Sequence, residues 1–215
     1  MTVDFTDTKI YPSIREKITT IPGRIAVLIN NVGMMNSLPQ EFADENNNPD
    51  FNNQMIICNI FPVVNMCEIV LPTMKKQKFG IVVNISSIFA ELAYPYFAVY
   101  GSTKHFVTAF TTSVSIEYKE YGIVFQDLTP GQVKTNLSKD VANGLVAVSA
   151  PSFVASALNA IGKEFHTNAH IKHKMMNGFA KFFRFWLPEA IRDPIAKAMV
   201  KSMDKKKKDS SKIHP

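Results

Sequence analysis

Two nearly uninterrupted apolar runs, Ile25-Ala26-Val27-Leu28-Ile29 and Ile81-Val82-Val83-Asn84-Ile85, constrain this chain more than any other feature. A strand with no polar face has no side to offer water, so it belongs inside a sheet covered on both faces. The first run ends at Asn30 and the second at Ser86. A third, more polar run, Ile123–Leu128, follows Gly122 and stops at Thr129-Pro130-Gly131. Long segments of helical character, Asp50–Met74 and Ala98–Tyr121, lie between the runs. Shorter ones precede and follow them, at Lys9–Ile21 and at Pro151–Lys163 with Ser149 or Pro151 near its start. Strands spaced by crossover-length helices return in parallel, so the pattern predicts a right-handed α/β fold with a doubly wound parallel sheet. Such sheets bind ligands beyond the carboxyl ends of their strands. The segment Gly33–Asn53, with Asn46-Asn47-Asn48-Pro49, reads as a long loop at one such end.

The net charge of +6 suggests a basic protein until the charges are placed, since six Lys and only two Asp fall between Lys201 and Lys212. The body is then nearly neutral, and a nucleic-acid-binding face is not expected. Cys58 and Cys67, the only two cysteines, stand among apolar residues, which predicts buried free thiols in a reducing compartment. Met1–Ile10 has no apolar core of a secretory signal. Phe51–Met74 carries four Asn, one Gln and Glu68, which reads as too polar for a membrane span.

Tyr100 and Lys104 stand four apart on a helical segment and project from one face. An ammonium near a phenol lowers the phenol pKa toward working pH, as a proton donor to a carbonyl oxygen requires; the plainer reading is a surface helix pair. Ser87 lies 13 residues before Tyr100, just past the second run, where a hydroxyl faces the ligand crevice or caps a turn. Asn30-Asn31-Val32-Gly33 closes the first run; paired Asn side chains can tie strand ends to loop backbone, and Gly33 permits close ligand approach.

Taken in order, Asp4, Asn30-Asn31-Val32-Gly33, Asn59, Ser87, Tyr100 with Lys104, and Pro130-Gly131 with Thr135 resemble the short-chain dehydrogenase/reductase family. Val32 and the string Asn84-Ile85-Ser86-Ser87 look like the branch of microsomal 17β-hydroxysteroid dehydrogenases and very-long-chain 3-oxoacyl-CoA reductases. The resemblance implies a Rossmann-like sheet, with NADP(H) as cofactor and NAD(H) left open. By resemblance Tyr100 donates the proton, Lys104 holds the nicotinamide ribose and depresses the Tyr100 pKa, and Ser87 polarises the carbonyl. Asn59 holds a water of the proton relay. Asn31 and Gly33 line the adenosine side, and Asp4, near the end of an early strand, approaches the adenine. Pro130, Gly131, Val133 and Thr135 flank the nicotinamide. The substrate is an apolar small molecule of steroid or 3-oxoacyl-CoA type. The resemblance also implies association with the endoplasmic reticulum membrane, cytoplasmic placement being the alternative, and homodimers formed through the two long helices.

One departure is large: the family opens with a Gly-rich turn that binds the pyrophosphate, and none of the nine glycines here pair at Gly-x-Gly or Gly-x-x-x-Gly spacing. The resemblance places Met1 within the family's third strand, so the expected sheet is N-terminally truncated, without its first βαβα elements. Ile25–Ile29 then becomes a sheet edge. The implied partition is a partial Rossmann-like domain over residues 1–163, an aromatic-rich helical region over 164–204 and a basic tail over 205–215. An inactive relative acting as a binding or membrane-associated module is the alternative function. His166, His170 and His173 are spaced as on a helix, but the only nearby acid is Glu164, and no metal is expected. Met175–Met203 mixes Phe179, Phe182, Phe183, Phe185 and Trp186 with Lys181 and Arg184, which suits a membrane surface, a substrate lid or helices packed on the core. Lys205–Lys208 reads as a solvated run or a contact to anionic lipid.

Overall fold

The computed structural model describes residues 1–37, 39–43, 48–91, 94–138, 146–186, 193–194 and 197–198. Asn46 and Asn47 of the long loop, the end of the aromatic region and Lys205–Lys208 lie outside the described residues. Strands β1 (Val27–Asn30), β2 (Gly80–Ile85), β3 (Ile123–Leu128) and β6 (His166–Thr167) form one sheet in the order β1-β2-β3-β6. Every neighbouring pair is parallel, with Val27 opposite Ile81, Ile81 opposite Val124 and Asp127 opposite His166. Two short strands, β4 (Val133–Lys134) and β5 (Val148–Ser149), pair outside it. The helices are α1 (Tyr11–Thr19), α2 (Pro49–Gln77), α3 (Ala98–Glu117), α4 (Ala150–Ala160) and α5 (Ile171–Trp186). This is the expected parallel α/β architecture.

Local chemistry accounts for the boundaries. The Asn48 side chain accepts from the Asp50 N–H and Pro49 opens α2, while Lys78 closes it in the left-handed conformation with φ of 52°. The Ser149 hydroxyl accepts from Ser152 to cap α4. Gly122, at φ of 68°, precedes β3; a Cβ there would come within 2.5 Å of the Lys78 carbonyl oxygen, so only glycine fits. At Ile25 the Gln77 side chain takes over the ladder, accepting from the Ile25 N–H at 3.2 Å and donating to its carbonyl at 3.1 Å. The first strand therefore begins at Val27, two residues later than the apolar run.

The larger core lies between the sheet and α1, α2 and α3, with Leu28, Val70, Met74, Val82 and Phe125 at its centre. A smaller one, Val83, Leu128, Val148 and Phe153, lies on the opposite face under α4. β1 occupies the sheet edge, and its burial alternates rather than running continuously: Leu28 and Asn30 are buried, whereas Val27 and Ile29 are half exposed. The expectation of burial on both faces therefore fails for β1, because among the described residues no helix covers the Val27–Ile29 side. α2 corrects another expectation: it is long and apolar enough, by length and composition, to cross a membrane. Half of that stretch is buried within the fold, as in a core helix. Cys58 and Cys67 are buried free thiols, and burial pushes Cys67 up to about 12 against the hydrogen bond from Asn30. Met1–Asp4 forms no strand; Asp4 is exposed and turns the chain by accepting from the Thr6 N–H at 2.9 Å.

Buried polar side chains join the layers. Asn30 donates to the Asn84 Oδ1 at 2.8 Å, and Asn84 donates to the Thr111 Oγ1 at 2.8 Å. This chain crosses β1, β2 and α3, and Asn84 and Thr111 are fully buried. A satisfied buried network fixes register, because a slip of one residue would strand every member without a partner.

Candidate active site

The carboxyl ends of β1, β2 and β3 open into a cleft of about 700 Å³. Asn31, Gly33, Ser87, Tyr100, Lys104, Pro130, Gly131, Val133 and Thr135 all line it. Asp4 does not, and its carboxylate is occupied by Thr6; the expected approach to a ligand is absent from the cleft wall. Asn59 lies just behind the wall.

The Ser86 N–H donates to the Leu128 carbonyl at 2.8 Å, and Ile88 donates to Pro130 at 3.1 Å, so the turn after β2 is tied to the loop after β3. Within it the neighbouring serines divide the work. Ser86 is buried, donates to the Lys104 carbonyl at 2.8 Å and meets Thr108, which anchors α3 to the strand end. Ser87 starts the 3-10 turn Ile88–Ala90, accepts from the Phe89 N–H at 3.2 Å and hydrogen-bonds the Tyr100 phenol. Its two readings, turn cap and crevice hydroxyl, thus coexist in one side chain.

Tyr100 sits in the first turn of α3 against the edge of Phe89, ring centres 5.6 Å apart. It is buried, not a surface residue, and burial raises its pKa while the Ser87 hydrogen bond works the other way. This reverses the expected depression by Lys104. The Lys104 ammonium lies 5.9 Å from the Tyr100 ring centre and donates to the Ile85 carbonyl at 2.9 Å. Burial lowers Lys104 itself to about 8, with Cys58 and Asp127 opposing.

Asn59 spends its amide on structure. Its Oδ1 accepts from the Met34 N–H at 2.6 Å, and its Nδ2 donates to the Met34 carbonyl and to Thr103 Oγ1, each at 2.9 Å. The loop after β1 is thereby clamped to α2 and α3. A Cβ on Gly33 would stand 3.3 Å from Asn59 Oδ1 and 3.4 Å from Lys104 Nζ, so Gly33 lets loop, Asn59 and Lys104 converge. At Gly131 an added Cβ would come 2.6 Å from Met176 Cε and 2.9 Å from His173 Cδ2; this glycine admits α5 against the loop.

Sequence reasoning missed the apolar wall that α4 contributes, Phe153, Val154, Ala157, Leu158 and Ile161. Their spacing at i, i+4 and i+7 from Val154 carried that signal. It also missed a charged cluster beneath the site. His166 Nδ1 meets the buried Asp127 carboxylate and Nε2 meets Glu91, both at 2.8 Å, while Asn177 and Lys181 donate to the other Glu91 oxygen. Hydrogen bonds to Asp127 and Glu91 raise His166 to about 9. Burial works to raise Glu91, but the bonds from His166, Lys181 and Asn177 prevail and hold it at about 2. Of the three histidines His166 stands apart, paired with acids, while His170 and the buried His173 lie with ring centres 5.8 Å apart and His173 meets the Gln132 carbonyl at 3.1 Å. Among the described residues no group of three His, Cys, Asp or Glu is placed to hold a metal ion.

The cluster has a pH signature. A histidine raised on folding stabilises fully below its unfolded pKa of about 6.5, and that stabilisation disappears as pH rises through about 9. A depressed Glu91 stabilises above about 4.5 and loses the effect as pH falls toward 2. The melting temperature of the native chain should therefore exceed that of His166→Asn most between about pH 4.5 and 6.5, with the gap closing above pH 9. A gap constant from pH 5 to 10 would contradict the ion cluster.

Known proteins are similar to this chain. The family described as short chain dehydrogenase matches residues 1–145. The chain is 35% identical over 184 residues to human 17-beta-hydroxysteroid dehydrogenase type 3, covering 85% of this chain and 58% of that protein. It is 34% identical over 188 residues to human very-long-chain 3-oxoacyl-CoA reductase, covering 86% and 59%. The chain thus spans less than two thirds of the length of these relatives. Among solved structures, ElxO with NADP bound superposes with a TM-score of 0.64 at 27% identity, covering 79% of this chain and 73% of that one. With the parallel sheet, the cleft at its carboxyl edge and the match over residues 1–145, this chain belongs to the short-chain dehydrogenase family.

Proposed function

We propose that the cleft performs hydride transfer between NADP(H) and a keto or secondary hydroxy group on a large apolar substrate of the steroid or 3-oxoacyl-CoA class. The observation that carries this reading is the convergence of Ser87, Tyr100 and Lys104 on one cleft wall beside Gly33. The residues present fit the nicotinamide-ribose half of such a cofactor: Lys104 is a buried cation at the cleft wall, and the Gly33 cradle is one that a Cβ would fill. Lys104 would hold the ribose hydroxyls, Asn31 and Gly33 the adenosine side, and Pro130, Gly131, Val133 and Thr135 the nicotinamide. When bound, the cofactor supplies the hydride. The 215 residues contain no Gly-x-Gly pair for the pyrophosphate. The exposed aromatic face of α5 favours a second reading, a silent relative that serves as a binding or membrane-associated module.

The chain's own residues do the rest. Tyr100 gives its proton to the substrate oxygen, and the Ser87 hydroxyl bonds the same oxygen and orients the phenol. Asn59 keeps the Met34 backbone, and with it the Gly33 cradle, in place. The α4 face with Phe153, Val154 and Leu158 excludes water from the apolar body of the substrate. Pairing of two copies through α2 and α3, and residence at the endoplasmic reticulum membrane with contact through the C-terminal region, belong to the same reading.

Titration of the chain with NADPH and NADH, followed by nucleotide fluorescence and thermal unfolding, tests it. Saturable NADPH binding that raises the melting temperature is expected, since a ligand held only by the folded state stabilises by mass action. A folded chain that binds neither nucleotide would leave the second reading.

A further inference from the structure

The hydroxyl of Ser87 is only as well placed as the turn that carries it. Ile88–Ala90 is a single 3-10 turn, the short helical form with the poorer hydrogen-bond geometry. Its first residue is tied to the loop after β3, where the Ile88 N–H donates to Pro130, and the Ala90 carbonyl meets His105 Nδ1 of α3 at 2.9 Å. Glu91 closes the turn, its N–H donating to the Ile88 carbonyl at 3.1 Å. Its side chain, 8% exposed, then leaves the turn altogether. One carboxylate oxygen meets His166 of β6 at 2.8 Å, and the other accepts from Asn177 of α5 at 2.9 Å and pairs with Lys181. His166 rests in turn on Asp127, fully buried in β3. Asn177 also donates to Asn168 Oδ1 at 3.1 Å, and Asn168 donates to the Thr129 carbonyl at 2.8 Å, just ahead of Pro130-Gly131. Through this cluster the end of the turn is fixed to β3, β6 and α5, all distant from it in sequence.

We propose that Glu91 is a positioning residue for the proton donor: its carboxylate holds the 3-10 turn so that Ser87 and Phe89 present a fixed hydroxyl and a fixed ring to Tyr100. Phe89 carries both effects. Its N–H donates to Ser87 Oγ at 3.2 Å and so aims the hydroxyl toward the phenol. Its ring meets Tyr100 edge-on, 5.6 Å between centres, and stacks on Tyr94 at 4.2 Å. A shift of the turn moves hydroxyl and ring together. Glu91 does not line the cleft, so it reaches the phenol only through the turn. A carboxylate suits this task because its two oxygens accept charge-assisted bonds from different directions, and such bonds fix orientation where an apolar contact would allow sliding. Glu91 in this role deepens the proposed reaction and rests on it, since Tyr100 has a proton to give there. Placement matters in such a step: a displacement of about 1 Å at the reacting groups can cost about 10²-fold in rate.

Glu91→Ala in the full chain removes the tie. With an apolar ketone and NADPH, kcat is expected to fall by about 10- to 100-fold while KM for the ketone and Kd for NADPH stay within about twofold of the native values. Glu91→Gln keeps an oxygen for Asn177 and Lys181 and sets an amide against His166, so it should bring kcat back to within about threefold of the native rate. A second readout needs neither substrate nor nucleotide. In protein carrying isotope-labelled tyrosine, the Tyr100 resonance is the one of six that disappears in Tyr100→Phe, and Ser87→Ala defines the shift that follows loss of the hydroxyl. Glu91→Ala should move that resonance in the same direction and by a comparable amount. Lys181→Met, which alters only the exposed rim of the cluster and so keeps the fold, should move it the same way by less. Circular dichroism and melting temperature establish which variants are folded. The proposal is overturned by a Tyr100 resonance unmoved in the folded variants, by native kcat in Glu91→Ala, by KM and Kd that rise in step with the fall in kcat, or by no recovery in Glu91→Gln. A native chain without turnover would sink the proposed reaction, whereas the Tyr100 resonance decides the positioning by itself.

Discussion

Tyr100→Phe should lower turnover of an apolar ketone with NADPH by roughly 10²- to 10⁴-fold, the usual contribution of a positioned general acid. Binding of NADPH should change little, because the phenol oxygen is removed without disturbing the ring, which stays packed against Phe89. The variant keeps the Lys104 bond to Ile85 and the Asn59 clamp on Met34. Burial makes the native phenol fully protonated at neutral pH, the state from which a donor starts, and Ser87 eases the departure of the proton. Steady-state rates with a steroid ketone and with a 3-oxoacyl-CoA, alongside nucleotide titration, provide the check. Equal turnover in the native chain and the Tyr100→Phe variant would falsify the assignment of Tyr100 as donor.

Lys104→Met should separate function from stability in the opposite sense. The folded chain holds the Lys104 ammonium at about 8 against 10.5 for the free group, chiefly through burial, so its charge is carried into the fold at a disadvantage. At pH 7 that disadvantage is on the order of 3 kcal/mol, and loss of the hydrogen bond to Ile85 returns about 1 kcal/mol of it. Methionine of similar length removes the charge and keeps the volume. The expected result is a melting temperature higher by roughly 4–8 °C at pH 7, with NADPH binding and turnover both lost or greatly weakened. The stability gain has a defined pH window. A lysine whose folded pKa lies below its unfolded value loses its penalty as pH rises from about 8 to 10.5, so native and variant chains should converge there. A variant less stable than the native chain at pH 7 would mean that Lys104 is held by more than the contacts described.

Local pattern carried much of this fold. The runs at Ile81–Ile85 and Ile123–Leu128 became β2 and β3 almost residue for residue, because a strand covered on both faces is largely apolar whichever neighbours it finds. Ser149 capped its helix, and Pro49 and Lys78 bounded α2, since caps depend on a few adjacent residues. Strand β6 was invisible: two residues, His166 and Thr167, show no periodicity, and only the ladder to Asp127 and Leu128 makes them a strand. Asp4 failed as a strand end for the same reason, because strand geometry needs a partner and no described segment pairs with Met1–Asp4.

The candidate site divides along the same line. Residue types and intervals, Ser87 with Tyr100 and Lys104 and the Asn-Asn-Val-Gly segment, were legible because they lie on one helix or at one strand end. Sequence alone thus determined the fold class, which follows from short-range periodicity, while the resemblance carried by the order of motifs along the chain pointed to the family and to the candidate side chains. Tertiary structure decided that Asp4 stays outside the cleft, that α4 walls it, and that Asn30, Asn84 and Thr111 form one buried chain. It also decided the electrostatics: Tyr100 shifts up rather than down and His166 is held as a cation. Desolvation and ion pairing depend on which groups meet across 39 to 75 residues of chain, as His166 meets Asp127 and Glu91, and no local pattern encodes such a meeting.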